Sequence, residues 1–222
     1  MGENGQGGRP EKIFMKESVK NERSGRKPKV SGVAREIAYL ALGAALLTVC
    51  AFITVPVGAI PVTLQTFGVA LVGALFGTVR GGIVVSVYFI MGLIGIPVFA
   101  GFNAGITALM GPTGGYLLGF LFSVVISGLF SSIRVKNQIA KTAVLYVGMI
   151  AGLAVCYFFG TLWFVTVYNR GSAESVSVAA ALMLCVVPYL LPDAVKLFFA
   201  AILGVKLKPY VKFRKNATKK TC

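Results

Sequence analysis

The chain alternates between long apolar runs and short polar or glycine-rich segments, and this alternation predicts its secondary structure. A helix needs roughly 20 mostly apolar residues to cross a lipid bilayer, and runs close to this length recur from Ile37 onward. The six predicted transmembrane helices are Ile37–Val57, Pro61–Val79, Gly82–Val98, Tyr116–Ile133, Ala143–Tyr168 and Val176–Val205. The last two are long enough to tilt in the bilayer or to be interrupted.

The two ends of the chain are polar and basic. Residues Met1 to Lys29 contain no apolar run that would serve as a signal peptide, and we interpret residues 1–32 as a disordered cytoplasmic tail. Residues 210–222 form a second basic cytoplasmic tail. We expect residues 33–209 to form a single six-helix transmembrane domain that binds a substrate.

The composition supports a chain embedded in lipid. It is 56% hydrophobic and 13% charged, with a mean hydropathy of +0.82, and a water-soluble domain would aggregate with this balance. The 27 glycines favour helices that pack by close backbone approach, as they do in lipid. We therefore predict an all-α membrane protein.

The net charge of +15 would suggest nucleic acid as a partner, but its distribution points elsewhere. Nearly all of the 22 Lys and Arg residues lie in the tails and in the turns after the second and fourth apolar runs, and Arg170 stands on the opposite side. Cytoplasmic loops carry this excess of positive charge. We predict a multi-pass protein of the prokaryotic cytoplasmic membrane, with both termini in the cytoplasm and no nucleic-acid partner.

The side chains that most enzymes and metal sites require are scarce. Histidine is absent, and the four cysteines have no spacing that suits a metal clamp or a disulfide frame. The single Asp excludes a two-aspartate protease. The phosphate-loop pattern G-x-x-x-x-G-K-[ST] is also missing. We expect no enzymatic activity, no metal and no cofactor.

Asp193 and Lys196 stand inside the last apolar run, where charge is costly. Because they are three residues apart on a helix, Asp193 and Lys196 share one face, and ionisable groups at membrane depth are functional candidates by default.

Pro188 and Pro192 predict a kink that frees backbone groups for a ligand. An ammonium suits a carboxylate, and a carboxylate suits N–H donors. The pair predicts a ligand with an acid at one end and an amide or urea elsewhere. A packing ion pair and a proton relay are the alternatives.

Two uncharged connections, Val55 to Pro61 and Phe99 to Thr113, are rich in glycine and proline and are typical of extended or re-entrant backbone. Irregular backbone at membrane depth is tolerated only where protein covers it or where it lines a cavity. We interpret these connections as walls or lids of an outward-facing pocket. An ordinary packed loop explains the second connection equally well.

Four side chains near these connections are further candidates for ligand binding. Asn103 and Tyr116 offer hydrogen bonds over apolar walls, and Phe99 either joins the pocket, packs in the core or faces lipid. Gln65 lies at the outer end of the second helix, beside threonines that helix capping explains. A buried amide needs partners, and a ligand would supply them.

Small residues recur at helical spacing in the first predicted helix and just before it. They are Ala34, Ala38, Ala41 and Ala45. This spacing lets two helices approach closely. Packing within the bundle and docking of a separate membrane protein both explain it.

Four segments together resemble the BioY family, the biotin-binding S components of energy-coupling factor (ECF) vitamin transporters. They are Ile60 to Thr66, Gly95 to Phe99, Gly111 to Tyr116 and Pro192 to Lys196. The resemblance covers about Val33 to Pro209. It implies a six-helix S-component bundle, with the vitamin held near the outer face beneath the loop between the first two helices.

The resemblance also implies partners and residue roles. The partners are a transmembrane coupling subunit and two cytoplasmic ATPases, with the alanine-rich first helix as the docking surface. Asp193 and Lys196 match family residues that contact biotin. The ureido ring of biotin suits Asp193 or Asn103 and its carboxylate suits Lys196, although these two assignments are interchangeable. We expect biotin uptake as the binding subunit of an ECF transporter. The alternative is a solitary or oligomeric biotin transporter, driven by protons and without ATPase partners.

Overall fold

The described part of the chain, residues 32–56, 60–171 and 175–211 of a computed structural model, is mostly helical. Its helices are α1 (Gly32–Phe52), α2 (Gln65–Leu93), α3 (Gly105–Met110), α4 (Gly114–Ser131), α5 (Gln138–Gly171), α6 (Val178–Cys185) and α7 (Val187–Leu207). Two short strands, β1 (Thr54–Val55) and β2 (Val62–Thr63), pair antiparallel after α1. The predicted tails lie outside the described residues, apart from position 32 and positions 210–211.

Helix α2 is a hairpin of two antiparallel arms, residues 65–76 and 78–93. The backbone turns at Gly77, whose φ of 74° and ψ of −173° are not helical and suit a residue without a Cβ atom. Gln65 Nε2 donates a 2.7 Å hydrogen bond to the hydroxyl of Tyr88, 23 positions later. A continuous helix would separate them by about 34 Å. The two arms correspond to the second and third predicted helices.

The helical membrane class predicted from the sequence is confirmed. By length and composition, α1, α2, α4 and α5 are candidate membrane spans, and the bent pair α6–α7 is a fifth. Because α2 folds back, it passes twice through the bundle, with arms of about 18 and 24 Å at 1.5 Å per residue. The number of complete membrane crossings and the cytoplasmic position of the termini stay predictions.

Helix α4 packs against both α2 and α5, because its small residues let the backbones approach closely. A Cβ atom on Gly119 would lie 2.8 Å from the Cα atom of Cys156 in α5. A Cβ atom on Gly128 would lie 2.4 Å from the backbone nitrogen of Thr78, next to the α2 turn. Close helix packing through small residues is the interface expected in lipid.

The predicted sixth helix is interrupted. Its two parts, α6 and α7, are bent by 46° at Val186, whose φ of −123° and ψ of −53° are not helical. The sequence predicts a kink at the prolines, but the break precedes them. Pro188 stands in the first turn of α7, where backbone N–H groups make no hydrogen bond within the helix, so the N–H that proline lacks costs nothing. In a helix that continued from α6, the same proline would remove a hydrogen bond and interrupt the helix. Pro192 lies inside α7.

The two outer connections differ from each other. Extended backbone is right for the first, where Thr54 pairs with Thr63 in the β1–β2 ladder. The second is not extended throughout, because it contains the 3-10 turn Ala100–Phe102 and helix α3; the alternative prediction of a re-entrant connection stays a prediction. The chain turns there because Gly101 and Phe102 both have positive φ, 69° and 60°. This is an uncommon conformation for a bulky residue.

Helix α1 packs on the bundle with one face only. That face includes Gly43 and Leu47, which are buried. The four predicted docking residues on the other side of the helix, Ala34, Ala38, Ala41 and Ala45, are all exposed. The alanine face is therefore on the outer surface of the described bundle, where lipid or another protein can reach it.

Replacing Gly128 with alanine should destabilise the bundle, because the new methyl group would meet the backbone of Thr78, which no rotamer change can move. We expect a loss of about 1–3 kcal/mol, the usual cost of overpacking, seen as a lower midpoint of thermal unfolding in detergent. Gly82→Ala is the matched control, since nothing lies within 4 Å of its Cβ position. Equal midpoints for the two variants would contradict this packing.

Candidate functional site

A cavity of about 370 Å³ lies between the outer connections and the adjoining parts of α2, α4, α5, α6 and α7. The six residues predicted to bind a ligand all line it: Gln65, Phe99, Asn103, Tyr116, Asp193 and Lys196. Its volume falls within the range of small-molecule pockets, roughly 300–1,000 Å³. No group of three or more His, Cys, Asp or Glu that could hold a metal ion occurs among the described residues.

Asp193 and Lys196 form an ion pair at the wall of the cavity. Lys196 Nζ lies 2.7 Å from Asp193 Oδ1, and Asp193 is only 4% exposed. The carboxylate also accepts hydrogen bonds from Thr66 Oγ1 to Oδ1, at 3.1 Å, and from the Tyr157 hydroxyl to Oδ2, at 2.7 Å. Both carboxylate oxygens are thus occupied by donors from the protein.

Lys196 also holds the connection between α1 and α2. Its ammonium donates a 2.8 Å hydrogen bond to the backbone carbonyl of Thr63 in β2. An ammonium has three N–H donors, and the contacts with Asp193 and Thr63 use two of them. The third is left for a ligand in the cavity. Near the start of α7, the hydroxyl of Tyr189 donates to the carbonyl of Ile60 in the same connection.

The amide of Gln65 is engaged inside the protein. Its Nε2 donates to the hydroxyl of Tyr88, which in turn donates to the carbonyl of Val98 at 2.9 Å. This chain of hydrogen bonds joins the two arms of α2 to the connection that follows them. Gln65 faces the cavity, and because its amide nitrogen has two N–H donors, of which Tyr88 takes one, the second N–H and the amide oxygen are left for its predicted role in binding.

Phe99 is a core residue that forms part of the cavity wall. It is 2% exposed and packs edge-on against Tyr88, with ring centroids 5.5 Å apart. Its ring covers Gly92, where a Cβ atom would lie 2.1 Å from the ring carbon Cζ. The bare backbone of Gly92 thus creates the space that the ring of Phe99 fills. Of the two aromatic residues in this connection, Phe102 is instead 64% exposed and contacts Phe52.

Asn103 and Tyr116 both line the less charged part of the cavity. Asn103 Nδ2 donates a 2.8 Å hydrogen bond to the carbonyl of Ala100, which orients the side-chain oxygen. The hydroxyl of Tyr116 is buried without a hydrogen-bond partner among the described residues. A buried hydroxyl without a partner is costly, and a polar group on a ligand would relieve that cost.

Tyr157 and Thr66 are the site residues that sequence reasoning missed. They reach Asp193 from α5 and α2, at separations of 36 and 127 positions. Tyr157 stands in an apolar run where a tyrosine is unremarkable, and helix capping is a sufficient explanation of Thr66 in the sequence. The only signal is indirect, since a buried carboxylate needs several donors.

Chemically, the arrangement is a fixed ammonium at one side of a largely apolar chamber, with neutral hydrogen-bonding groups elsewhere. It suits an elongated ligand with a carboxylate at one end and a polar ring at the other.

Comparison with known proteins places these features in a family. The profile of the BioY family matches residues 16–213. A probable biotin transporter BioY of Pyrococcus horikoshii is 37% identical over 175 residues, which are 79% of this chain and 97% of that protein. The biotin transporter BioY of Thermotoga maritima is 33% identical over 174 residues, or 78% of this chain and 96% of that protein.

A solved structure has the same fold. It is the S-component for biotin from an ECF-type ABC transporter, which superposes with a TM-score of 0.68 at 23% identity. The match covers 81% of this chain and 95% of that chain. Since the family profile and the relatives both span most of the sequence, the chain belongs to the BioY family.

Proposed function

We propose that this protein takes up biotin across the cytoplasmic membrane as the substrate-binding subunit of an ECF-type, ATP-driven transporter. Relatives that match over nearly their whole length are biotin transporters, and the fold is that of an S-component. The observation that carries the proposal is Lys196, the one cationic side chain among the described residues that line the cavity.

Lys196 is assigned to the carboxylate of biotin. Its ammonium is oriented by Asp193 and by the Thr63 carbonyl, and one N–H donor is left over. A charge-assisted hydrogen bond to a carboxylate is stronger than one between neutral groups. Asp193 is assigned a positioning role, because both of its oxygens already accept hydrogen bonds from the protein.

The ureido ring of biotin is assigned to the opposite part of the cavity. Its N–H groups need acceptors, which the side-chain oxygen of Asn103 and the hydroxyl of Tyr116 provide. Phe99 then borders the apolar part of the ligand. Of the two residues that suit the ureido ring, this assignment prefers Asn103 to Asp193.

The energy for transport is assigned to partners. The coupling subunit and two ATPases would dock through the exposed alanines of α1, whose small side chains permit close approach of another helix. Uptake by this protein alone would instead require a proton relay, with Asp193 as the candidate. Because Asp193 already accepts three hydrogen bonds within the bundle, we favour the ATP-driven assembly.

Lys196→Met should abolish the preference for an acid over an amide. In the wild type, biotin should bind at least about tenfold more tightly than biotin amide, a difference of about 1.4 kcal/mol. The variant should bind both ligands with similar, weakened affinity, measured by equilibrium binding to purified protein. Lys206→Met, an exposed lysine near the other end of α7, serves as control. If Lys196→Met kept a tenfold preference for biotin, the assignment of Lys196 to the carboxylate would be wrong.

Tyr157→Phe tests whether Asp193 acts through Lys196. The variant leaves one buried carboxylate oxygen without its donor, which should loosen the position of the ammonium. We expect biotin to weaken by about fivefold or more, corresponding to 1–3 kcal/mol for an unsatisfied buried group, and biotin amide to weaken less. Tyr146→Phe is the control, since it removes a hydroxyl of α5 that bonds the carbonyl of Ala194. Equal losses for both ligands would reduce Tyr157 to a structural role.

Ala38→Leu should impair assembly without impairing biotin binding, because the larger side chain would separate α1 from a docked helix. The copurified fraction of coexpressed coupling subunit and ATPases should fall about tenfold, the effect of 1.4 kcal/mol. Ala154→Leu is the control, an exposed alanine at mid-length of α5. Undiminished copurification would argue against this docking face.

Biotin uptake by the wild type alone in sealed vesicles would argue against an obligate partner.

A further inference from the structure

The ends of α4, α5 and α7 meet on the side of the bundle opposite the cavity. The cavity adjoins Tyr116 of α4, Tyr157 of α5 and Asp193 of α7. Helix α4 ends at Ser131 and α7 at Leu207, whereas α5 begins at Gln138. The positive-inside pattern assigns this end of the bundle to the cytoplasmic surface of the membrane.

Two lysines stand at neighbouring positions of α5 and α7 at this end. Gly204 of α7 packs against Leu145 of α5, with 3.3 Å between the Cβ position of Gly204 and Leu145 Cδ2. One turn farther toward the same end, on the same helix faces, stand Lys141 on α5 and Lys208 just after α7. Both lysines are partly buried.

Lys208 is held in place. Its ammonium donates to the backbone carbonyl and to the hydroxyl of Ser131, at the end of α4. The hydroxyl of Ser131 donates in turn to the carbonyl of Ala74 in α2. Burial, and then the charge of Lys141, lower the pKa of Lys208. The fold therefore keeps a cation beside another cation instead of letting it swing into solvent.

The described residues supply no anion to this pair. Their two acidic side chains are used elsewhere, Glu36 in an ion pair with Arg80 and Asp193 in the ion pair with Lys196. Two neighbouring positive charges in a partly buried setting repel each other. An anion bound between Lys141 and Lys208 would convert this repulsion into attraction.

We propose that Lys141 and Lys208 bind the phosphate of an anionic phospholipid from the cytoplasmic leaflet. Basic pockets between transmembrane helices on this side suit such headgroups. The surrounding surface favours a lipid over a soluble anion, because Ile139 is 79% exposed and Leu207 41% exposed beside the pair, where acyl chains would lie. Tyr210 is 78% exposed, as is common for aromatic residues at the membrane interface.

The site would join the ends of three helices through one headgroup. Lys208 already ties α7 to α4 through Ser131, and a phosphate shared with Lys141 would add α5. This role does not depend on biotin or on the ATPase partners. Bound lipid should therefore stabilise the protein with or without its ligand.

Titration of the purified full-length protein with phosphatidylglycerol in a neutral detergent tests the proposal. Phosphatidylglycerol should raise the midpoint of thermal unfolding, and phosphatidylcholine should not. Lys141→Gln should raise the apparent dissociation constant for phosphatidylglycerol about fivefold, the effect expected for one lysine near an anionic headgroup. Lys141 is chosen over Lys208 because, among the described residues, its side chain makes no hydrogen bond that the substitution would break.

The matched control is Lys206→Gln, an exposed lysine two residues before Lys208, which should stay within about twofold of the wild type. Equal losses in the two variants would overturn the proposal in favour of diffuse attraction to a basic surface. The same stabilisation by glycerol phosphate would assign the site to a soluble anion. If Lys141→Gln affected only copurification with the ATPase partners, the surface would belong to a protein contact.

Discussion

The rest of the structure depends on one ion pair, Asp193 with Lys196, which is buried in a bundle that lipid surrounds and needs hydrogen-bonding partners there. Removing Asp193 and Lys196 from water carries a desolvation cost that their mutual attraction alone does not offset. The fold compensates with donors and acceptors from several elements. Thr66 of α2 and Tyr157 of α5 donate to the carboxylate, and the Thr63 carbonyl of β2 accepts from the ammonium. The pair therefore joins α2, α5, α7 and the first outer connection.

The binding properties of the cavity follow from a difference between the two residues of the ion pair, namely how many of their hydrogen-bonding groups the protein already uses. Asp193 has all of its oxygens engaged, whereas Lys196 keeps one N–H donor. The cavity consequently offers a ligand a positive charge and no free negative one among its described residues. The apolar walls around it exclude water, which strengthens the attraction for a carboxylate. The uptake of biotin across the membrane by this protein is consistent with that asymmetry, since biotin is an anion with a neutral ring.

Much of this arrangement is predictable from the sequence. Apolar runs indicate the helices, and charge at membrane depth is enough to single out Asp193 and Lys196. Glycine-rich connections point to the neighbouring walls with Phe99 and Asn103. These features are local in sequence, because hydropathy and the cost of buried charge both act on short segments.

Other features depend on tertiary packing, which a single sequence does not specify. The sequence predicts a turn near Arg80, between the second and third predicted helices, but the turn lies at Gly77. The pairing of the two arms of α2 through Gln65 and Tyr88 is visible only in the fold. Tyr157 resembles any tyrosine in an apolar run until the fold brings it to Asp193. The break at Val186 lies before the prolines because the first turn of α7 accommodates Pro188.

An experimental structure of the protein with biotin bound is the most direct test of the central claim, that Asp193 orients Lys196 to receive a carboxylate. The account predicts a biotin carboxylate oxygen within about 2.7–3.2 Å of Lys196 Nζ, a hydrogen-bond distance, while Tyr157 still donates to Asp193. A ureido ring at Lys196, or a direct contact between Asp193 and the ligand in place of Tyr157, would contradict it.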